Sequence, residues 1–463
     1  METFTSPRYS HSPHSLHWAK DFAIRQVTSY HGQDNRLKIP TNGSILDEFF
    51  NSCNVELSPP QRHELLKRFL SRAGARSFPE AAKFGPEDKR VLAMVDDRCD
   101  PCTQFTNIPE NTFLPVRQWE SEEYMRRPPE GLHVRIRKGV AERRIVYLVD
   151  LTPLMGVALI SNISYMQLPQ VRSYLSRYVA FDAYMGVSQQ RGFTLEFHLP
   201  HYALRPDQPE LRDARGLRKS RSFQLPSSGS HDRIYEVQIS LVVIGVDEFF
   251  WMAYFSEDSY FRKNDPISEY LQDKTDGPSF GLRLCKFPIW DPRYYFLSIF
   301  SIRMGQVKME WRVLVETASI RSAKARQGEI DEDNLDGFLE NDPSLQKTKD
   351  FTWTLCSLRR LRNSLARLIA AWVAFDRNNS VYFDLNSDGT LAAKFRECFL
   401  SLRQSTAELG SLQMILEQRI ETMEKMSSVL VNASSLAESI TATRQGDNIR
   451  LLTYITIVSK KQP

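Results

Sequence analysis

A chain of 463 residues, 41% of them hydrophobic, is long enough for two or three domains with sizeable cores. Its 60 basic and 56 acidic residues leave a net charge of only +4, so charge gives no reason to expect a nucleic-acid partner. No run of about twenty apolar residues is present, the length that a membrane-spanning helix requires. We therefore expect the polypeptide as written to be soluble and cytoplasmic, with its six cysteines as reduced thiols.

The N-terminal residues 1–43 are polar and rich in Ser, His and Pro. They lack the apolar core of a secretory signal, and we expect a loose tail or a weakly ordered cap. Residues 44–84 contain two short helical patterns, the second of which ends at Gly74. The mixed charges and prolines between Pro86 and Pro129 indicate connecting structure.

The strand patterns occur in the middle of the chain. Leu132, Val134 and Ile136 alternate with polar residues, as in a half-buried strand. The continuous apolar run from Arg144 to Leu151 is typical of a strand covered on both faces. Further strand patterns occupy residues 192–200, 233–245 and 249–255, and a helical pattern occupies residues 168–185. This mixture predicts an α/β (α+β) domain over residues 44–290, with a mixed sheet flanked by helices and followed by long helices.

Residues 203–231 are polar, basic and rich in Pro and Ser, and we expect a mobile surface loop between two strands. The basic residues of this segment are Arg205, Arg212, Arg215, Arg218, Lys219 and Arg221. Three serines accompany them, namely Ser220, Ser222 and Ser227. A solvated loop is the ordinary interpretation of such a charge run, and the alternatives are contact with anionic lipid head groups or regulation by phosphorylation.

The patterns after residue 290 are helical. Asp291 and Pro292 have the chemistry of an N-cap followed by proline at the first helical position, and apolar residues then recur at three- and four-residue steps. We predict long helices over residues 291–380, including one from about 351 to 375. An acidic linker at residues 328–344 separates them, and its carboxylates are typical of a solvated loop.

A terminal helix is predicted over residues 391–458, because apolar residues repeat there every seven positions. At about 1.5 Å per residue, the part from Leu402 to Val458 would be on the order of 80 Å long, far longer than a globular core needs. We interpret the repeat as an oligomerisation seam made of Leu402, Leu409, Leu412, Leu416, Met423, Met426, Leu430, Ala437 and Ile440. From Arg444 to Val458 the helix becomes apolar, as if to enter a membrane.

One segment between the helices has the spacing of a metal-binding loop. Asp384, Asn386, Asp388 and Gly389 match positions one, three, five and six of a calcium-binding EF-hand loop, but Phe395 stands where a bidentate glutamate is needed. The alternative is a turn between antiparallel helices, which the sequence Asn-Ser-Asp-Gly favours.

Other potential ligands lack the spacing of a site. Cys99 and Cys102 form a lone CxxC without the second ligand pair that zinc needs. His198 and His201 at a strand end are typical of surface or hydrogen-bonded histidines. Three more histidines lie in the polar tail, at His11, His14 and His17. No nucleotide-binding or hydrolase motif is present, and we expect no enzymatic activity.

Four stretches of the chain resemble those of the fungal branch of CorA-like magnesium transporters. They are Phe193 to Arg205, Arg233 to Phe261, Ile289 to Glu316 and Thr441 to Val458. The resemblance implies a cytosolic α/β domain and a stalk helix that continues directly into the first membrane helix of the family. It also implies a pentamer, with the stalk helices packed around the ion path.

The family's Gly-Met-Asn pore motif and its membrane helices have no counterpart in this sequence. We therefore expect a CorA-like transporter relative for magnesium or another divalent cation, truncated before its transmembrane helices. The alternative is a soluble regulatory protein that oligomerises through its stalk helix. The expected partners are further copies of the chain or a full-length relative, and membrane contact is expected only where the spans are present.

The resemblance assigns no ion-coordinating residue to this chain, and the metal-site residues stay unknown. We expect no cofactor, with magnesium or another divalent cation as a possible ligand. A third hypothesis is a cytosolic metal sensor that uses the acidic linker and the turn after Asp384.

Overall fold

The computed structural model of the chain describes residues 17–25, 45–51, 60–75, 91–98, 112–117, 142–164, 167–190, 192–206, 210–223, 232–262, 266–327 and 346–459. The helices are α1 (Ile45–Asn51), α2 (Pro60–Leu70), α3 (Arg72–Ala75), α4 (Pro153–Asn162), α5 (Leu168–Ala180), α6 (Pro266–Asp273), α7 (Pro292–Gln327), α8 (Gln346–Asn379) and α9 (Thr390–Ser459). The strands are β1 (Val91–Arg98), β2 (Thr112–Arg117), β3 (Arg143–Val149), β4 (Tyr184–Ser188), β5 (Phe193–Arg205), β6 (Ser220–Ser222), β7 (Arg233–Gly245) and β8 (Trp251–Glu257).

The described strands form a mixed sheet in the order β2-β1-β3-β8-β7-β5-β4, with β6 paired to β7. Strands β3 and β8 run parallel, and the other neighbours run antiparallel. The longest pair is β5 with β7, which are aligned from Phe193 opposite Gly245 to Arg205 opposite Arg233. A mixed sheet flanked by helices, with long C-terminal helices, confirms the predicted fold class.

Both faces of the sheet centre are buried. Since successive side chains of a strand point to opposite faces, neighbouring residues of one strand belong to different cores. On one face, Phe197 and Leu241 belong to the core shared with α7, α8 and α9. On the other face, Val242 and Tyr254 belong to the core shared with α4 and α5. This two-sided burial explains why β7 is an apolar run along much of its length rather than a clean alternation.

The long helices pack as a bundle in which α9 runs parallel to α7 and antiparallel to α8. Along α7, Ser301 bonds Ser401, and Lys308 and Arg312 both pair with Glu408. Along α8, Arg403 pairs with Asp376 at 2.8 Å and Arg359 pairs with Glu424 at 2.7 Å. A residue of α7 therefore lies level with the residue of α9 whose number is about 100 higher. Along α8, residue numbers fall as those of the adjacent α9 residues rise.

Helix α7 begins where the sequence predicted. The Asp291 carboxylate accepts a hydrogen bond of 2.7 Å from the backbone N–H of Tyr294, and Pro292 is the first helical residue. Behind this start, a group of aromatic rings joins α7, α8 and α9 to the short turn before α9. Its members are Phe296, Phe300, Trp372, Phe375, Phe383, Phe395 and Phe399. Their mutual contacts anchor the bundle at this end.

Two N-terminal predictions differ from the structure. Strands β1 and β2 lie within the stretch that we predicted as connecting structure. The pattern of β1 was obscured because Asp96 and Arg98 face inward and form a buried ion pair at 2.8 Å. Within the predicted loose tail, Trp18 and Phe22 pack on Phe193, and Trp18 Nε1 donates to Glu248.

Further differences concern the helix predicted over residues 168–185. Helix α5 ends at Ala180, because Phe181 adopts a left-handed conformation with φ 57°, and β4 starts at Tyr184. Helix α8 is longer than expected, since it covers Gln346–Asn379 rather than about residues 351–375. The strand predicted at Leu132 to Ile136 and the acidic linker 328–344 lie outside the described residues.

Replacing Leu416 by alanine tests the bundle. Leu416 is fully buried between the helices, so Leu416→Ala should lower the free energy of unfolding by about 2–5 kcal/mol. The matched control is Met414→Ala on the same helix, because Met414 is 57% exposed and its truncation should change stability by no more than about 0.5 kcal/mol. Urea unfolding followed by circular dichroism measures both, and equal losses would contradict the described packing.

Candidate functional site

The described side chains of the predicted seam of α9 lie inside the bundle or against its core. Four of its residues are buried inside the bundle, namely Leu402, Leu409, Leu416 and Met423, and Leu412 and Met426 are partly buried against the same core. Leu430, Ala437 and Ile440 lie on α9, but their side chains are outside the described part. The first half of the heptad repeat is therefore satisfied by α7 and α8 of the same chain, and a second copy is not needed to explain it.

Helix α9 is longer than the helices beside it. Given the register, the end of α7 at Gln327 is level with about residue 427, and the start of α8 at Gln346 is level with about residue 435. At about 1.5 Å per residue, the remainder of α9 extends for about 36 Å past its described helical neighbours. We call residues 436–459 the projecting segment.

The projecting segment changes from polar to apolar toward its end. Residues 442–454 are all exposed. The large apolar side chains among them are Ile449, Leu451, Leu452 and Tyr454, with exposed fractions of 64%, 64%, 63% and 72%. Large apolar groups clustered on a helix end in water are typical of a surface that meets a membrane or a partner. No helix in the described part of the chain is both long enough and apolar enough to span a membrane.

The EF-hand-like segment forms a turn that is closed by hydrogen bonds from Arg396 of α9. Asp384 is left-handed at φ 41°, and Arg396 Nη1 donates to the carbonyls of Leu385 at 2.9 Å and Ser387 at 2.8 Å. Phe395, at the position of the missing glutamate, is buried against Phe383. Across the described ranges, no group of three or more His, Cys, Asp and Glu side chains has the geometry to hold a metal ion. The turn interpretation therefore agrees with the structure.

His198 and His201 are both buried in β5, so of the two predicted alternatives, surface or hydrogen-bonded histidines, the hydrogen-bonded one agrees with the structure. His198 Nε2 donates to Glu196 Oε1 at 2.7 Å, and Ser240 Oγ lies 2.7 Å from His198 Nδ1. Arg177 Nη1 also donates to Glu196, at 2.5 Å. This order of groups is that of a serine nucleophile with its base, but Ser240 and His198 are both fully enclosed and no substrate atom can reach them.

Burial lowers the pKa of His198, although the Glu196 carboxylate opposes that shift. Burial also lowers the pKa of His201. For Glu196, burial alone would raise the pKa, but Arg177 and His198 together lower it. The cluster is therefore a neutral imidazole bonded to a charged carboxylate, which joins β5, β7 and α5 inside the sheet domain.

Two arginines in the described part of the basic segment, Arg215 and Arg218, are buried in ion pairs. Arg218 Nε and Arg215 Nη1 donate to the two oxygens of the buried Asp258 carboxylate, at 2.5 and 2.9 Å. The Tyr178 hydroxyl and the backbone N–H of Gln238, at 2.8 Å, donate to the same group. Burial alone would raise the pKa of Asp258, but the two guanidinium groups outweigh it and hold the pKa at about 2.

The remaining basic residues of this segment have different environments. Arg205 pairs with Glu310 of α7 at 2.8 Å, whereas the Arg212 side chain is 83% exposed. Ser220 Oγ donates to Glu210, and Ser222 is exposed on the short strand β6. Ser227, the CxxC cysteines Cys99 and Cys102, and the tail histidines His11 and His14 lie outside the described residues, while His17 is exposed. Because Arg215 and Arg218 are buried, neither guanidinium group is available to contact anionic lipid.

The sequence did not point to Asp258 as the partner of these arginines. Asp258 lies 40 residues from Arg218, directly after β8, and only the pairing of β8 with β7 brings it beside the basic segment. A buried charge with several donors is strongly destabilising when one partner is removed, because the other charge is left uncompensated.

Comparison with known proteins gives a limited result. No family model matches the chain, and no curated protein matches it. Among solved structures, the full-length CmaX protein is similar at 10% identity and TM-score 0.40, over 81% of this chain and 86% of that one. The complete CorA magnesium transporter from Methanocaldococcus jannaschii is similar at 10% identity and TM-score 0.30, over 80% of this chain and 83% of that one. Its soluble domain is similar at 8% identity and TM-score 0.31, over 72% and 96%. Similarity at this level does not assign a function to the chain.

The buried histidines predict a pH dependence of stability. Since the folded-state pKa of His198 is below its ordinary value of 6.5, the unfolded chain binds more protons in acid, and stability should fall as pH decreases below about 6.5. His198→Gln should reduce this slope by no more than about 1.4 kcal/mol per pH unit, the limit for one group. Urea unfolding at several pH values between 5 and 8 measures the slope, and an unchanged slope in the variant would show that His198 does not contribute.

Proposed function

We propose that this chain acts in divalent-cation transport as a CorA-like protein, with α9 as its stalk helix. The observation that carries the proposal is the projecting segment, which leaves the bundle and exposes apolar side chains from Ile449 to Tyr454. The sequence resemblance of the four stretches supports it. So does the architecture, in which a mixed sheet and two long helices hold the first half of a third, longer helix.

The end of α9 has the composition of a helix that enters a less polar environment. Arg444, Asp447 and Arg450 precede the apolar residues, and Lys460 and Lys461 follow them in the sequence. Burying a Leu or Ile side chain from water stabilises by about 1.5–3 kcal/mol. Transfer of this segment to a bilayer interface or a partner helix is therefore favourable, and the flanking basic residues favour an anionic membrane surface.

The proposal assigns no cation ligand and no catalytic residue to the chain. In this function the sheet domain has a mechanical role, because it fixes the bundle, and the bundle fixes the direction of α9. The enclosed cluster of His198, Glu196 and Ser240 belongs to this scaffold.

The proposal is tested by magnesium uptake in cells that express the full chain. Expression should change the initial uptake rate relative to an empty vector, measured with an intracellular magnesium indicator. The double variant Leu451→Glu and Tyr454→Glu should abolish this change, because carboxylates oppose insertion of the helix end into an apolar environment. Both residues are exposed, so the variant should keep the circular dichroism and unfolding midpoint of the parent.

The matched control is the double variant Leu65→Glu and Val373→Glu, which adds the same charge to exposed positions on α2 and α8. It should behave as the parent in the uptake measurement. An uptake rate that equals the vector, for a chain shown to be folded and present, would contradict the transport proposal.

A second candidate function is a regulatory protein that associates through α9. It is favoured by the same exposed apolar residues, and by further exposed apolar side chains on the outer face of the bundle. These are Met309, Val313 and Ile320 on α7, and Leu400, Met414 and Ile415 on α9. In this case the buried half of the seam stabilises the fold, and association depends on the exposed apolar side chains of α7 and α9.

Light scattering coupled to gel filtration tests this second function. We expect the full chain to form an assembly heavier than a monomer. The double variant Leu451→Glu and Tyr454→Glu should lower the mass of this assembly. Leu416→Ala should lower stability without changing the mass, because Leu416 is already enclosed by the chain's own helices. A parent chain that is monomeric at all concentrations would remove this candidate function.

A further inference from the structure

The described N-terminal segment, residues 17–25, lies across the junction of the sheet and the bundle, and we call it the strap. It contains one short 3₁₀ helix, Lys20–Ala23. Phe22 is its buried residue, and five of its nine residues are exposed. Because a helix this short is not stable by itself, the strap takes its conformation from the surface on which it lies.

Two aromatic side chains attach the strap to the sheet. The ring centre of Trp18 lies 4.9 Å from that of Phe193, and the ring centre of Phe22 lies 5.5 Å from it. The two rings of the strap also contact each other edge to face, with centres 5.0 Å apart. Phe193, the first residue of β5, is 1% exposed beneath them. Aromatic pairs at these distances stabilise beyond the area that they bury, so these rings anchor the strap at a defined position.

The polar contacts of the strap match the charge of the surface below it. Trp18 Nε1 donates to Glu248 Oε1 at 2.8 Å, and the backbone N–H of Glu248 donates to the carbonyl of Phe22 at 2.9 Å. Arg25 pairs with Glu142 at 2.6 Å. A short aromatic and basic peptide therefore lies on two carboxylates and a buried ring. Trp and Arg are the residue types that most often carry the binding energy of protein interfaces.

The strap also contacts a residue that joins the sheet to the bundle. Arg293, in the first turn of α7, pairs with the same Glu248 oxygen at 3.0 Å, and its guanidinium carbon lies 4.7 Å from the ring centre of Trp18. That carbon lies 5.3 Å from the ring centre of Phe395, near the start of α9. Trp18 therefore contacts both members of the ion pair that connects the turn before β8 to α7.

The strap is attached in a way that makes it separable from the core. It belongs to no strand of the described sheet, whereas β5 and β7 beneath it are paired with each other along their full length. Segments with few buried side chains and an exposed backbone open at a lower free energy than the paired strands of a core. The strap can therefore open while the sheet and the bundle stay folded.

We propose that the strap is a releasable intramolecular ligand, and that Phe193, Glu142, Glu248 and Arg293 form its peptide-binding surface. In the closed state the strap clamps the turn before β8 to the start of α7. In the open state Phe193 is uncovered, and Glu248 and Arg293 lose their contacts with Trp18. The strap is thus a conformational device at the base of the bundle, and it stands whether or not the chain acts in cation transport.

The test uses the full chain and a fluorescein-labelled peptide with the sequence of residues 16–26, and it measures binding by fluorescence anisotropy. In the parent, the chain's own strap competes with the peptide, so the apparent affinity is reduced by the fraction of chains that are open. The full-length double variant Trp18→Ala and Phe22→Ala lacks this competition. It should bind the peptide at least about tenfold more tightly than the parent, since a minor state has a population of about 10% or less.

Further variants connect the affinity to the described contacts. Trp18→Phe retains a ring and removes the donor to Glu248, so the peptide should bind this chain about tenfold more tightly than the parent. Ile24→Ala is the matched control within the strap, because Ile24 is 65% exposed, and it should bind the peptide as the parent does. A peptide that itself carries Trp18→Ala and Phe22→Ala should bind none of these chains.

Hydrogen exchange tests the clamp at the start of α7. The backbone amides of residues 292–300 should exchange faster in the double variant than in the parent, because Arg293 has lost its contact with Trp18. An excess of unlabelled peptide should restore the rate of the parent.

Three outcomes would overturn the proposal. The first is no saturable binding of the peptide to any of the chains. The second is equal affinity for the parent and for Trp18→Phe, which would place the peptide elsewhere on the surface. The third is unchanged exchange at the start of α7 in the double variant, which would show that the strap clamps nothing. Trp18→Phe is a conservative change, so the proposal stays testable even where the double variant does not fold.

Discussion

The burial of the first half of α9 between α7 and α8 is the interaction on which the rest of this structure depends. Leu402, Leu409 and Leu416 fill the bundle, while Phe395 and Phe399 lock the start of the helix into the aromatic group. A shift of α9 along its axis would move these rings toward water and break the pairing of Glu408 with Lys308. The bundle therefore fixes where α9 leaves its neighbours and which of its apolar residues stay exposed.

The sheet domain has a second constraint, the buried carboxylates that hold its loops. Asp258 joins the segment after β5 to β7 and α5 through Arg215, Arg218 and Tyr178. Such groups stabilise only while all partners are present, because each charge is isolated from water. They make the segment around Arg215 part of the core, where composition alone indicated a solvated loop.

The projecting segment and the start of α7 lie at opposite ends of the bundle. The start of α7 is level with the start of α9, and from there to Ile449 the helix rises for on the order of 85 Å. One end is a compact junction of sheet and helices. The other is the part of α9 that extends past its described helical neighbours and has exposed apolar side chains. A rigid helix between them links the position of the sheet domain to whatever the projecting segment contacts.

The sequence by itself determined the elements whose pattern is repeated or capped locally. The heptad repeat predicted a long helix near its observed limits, the Asp291 cap placed the start of α7, and alternating or continuous apolar runs predicted β3, β5 and β7. These signals depend on neighbours within a few turns or pleats, which the chain itself supplies.

Only the tertiary structure decided which surfaces those elements bury. The heptad repeat shows that a seam is covered but not whether α7 and α8 or a second copy covers it, because both are equally apolar partners. Likewise, Arg215, Arg218 and Arg143 are ordinary basic residues in the sequence. Their burial follows from Asp258 and from β1 and α7, which are distant in the chain and meet these arginines only when the sheet is paired.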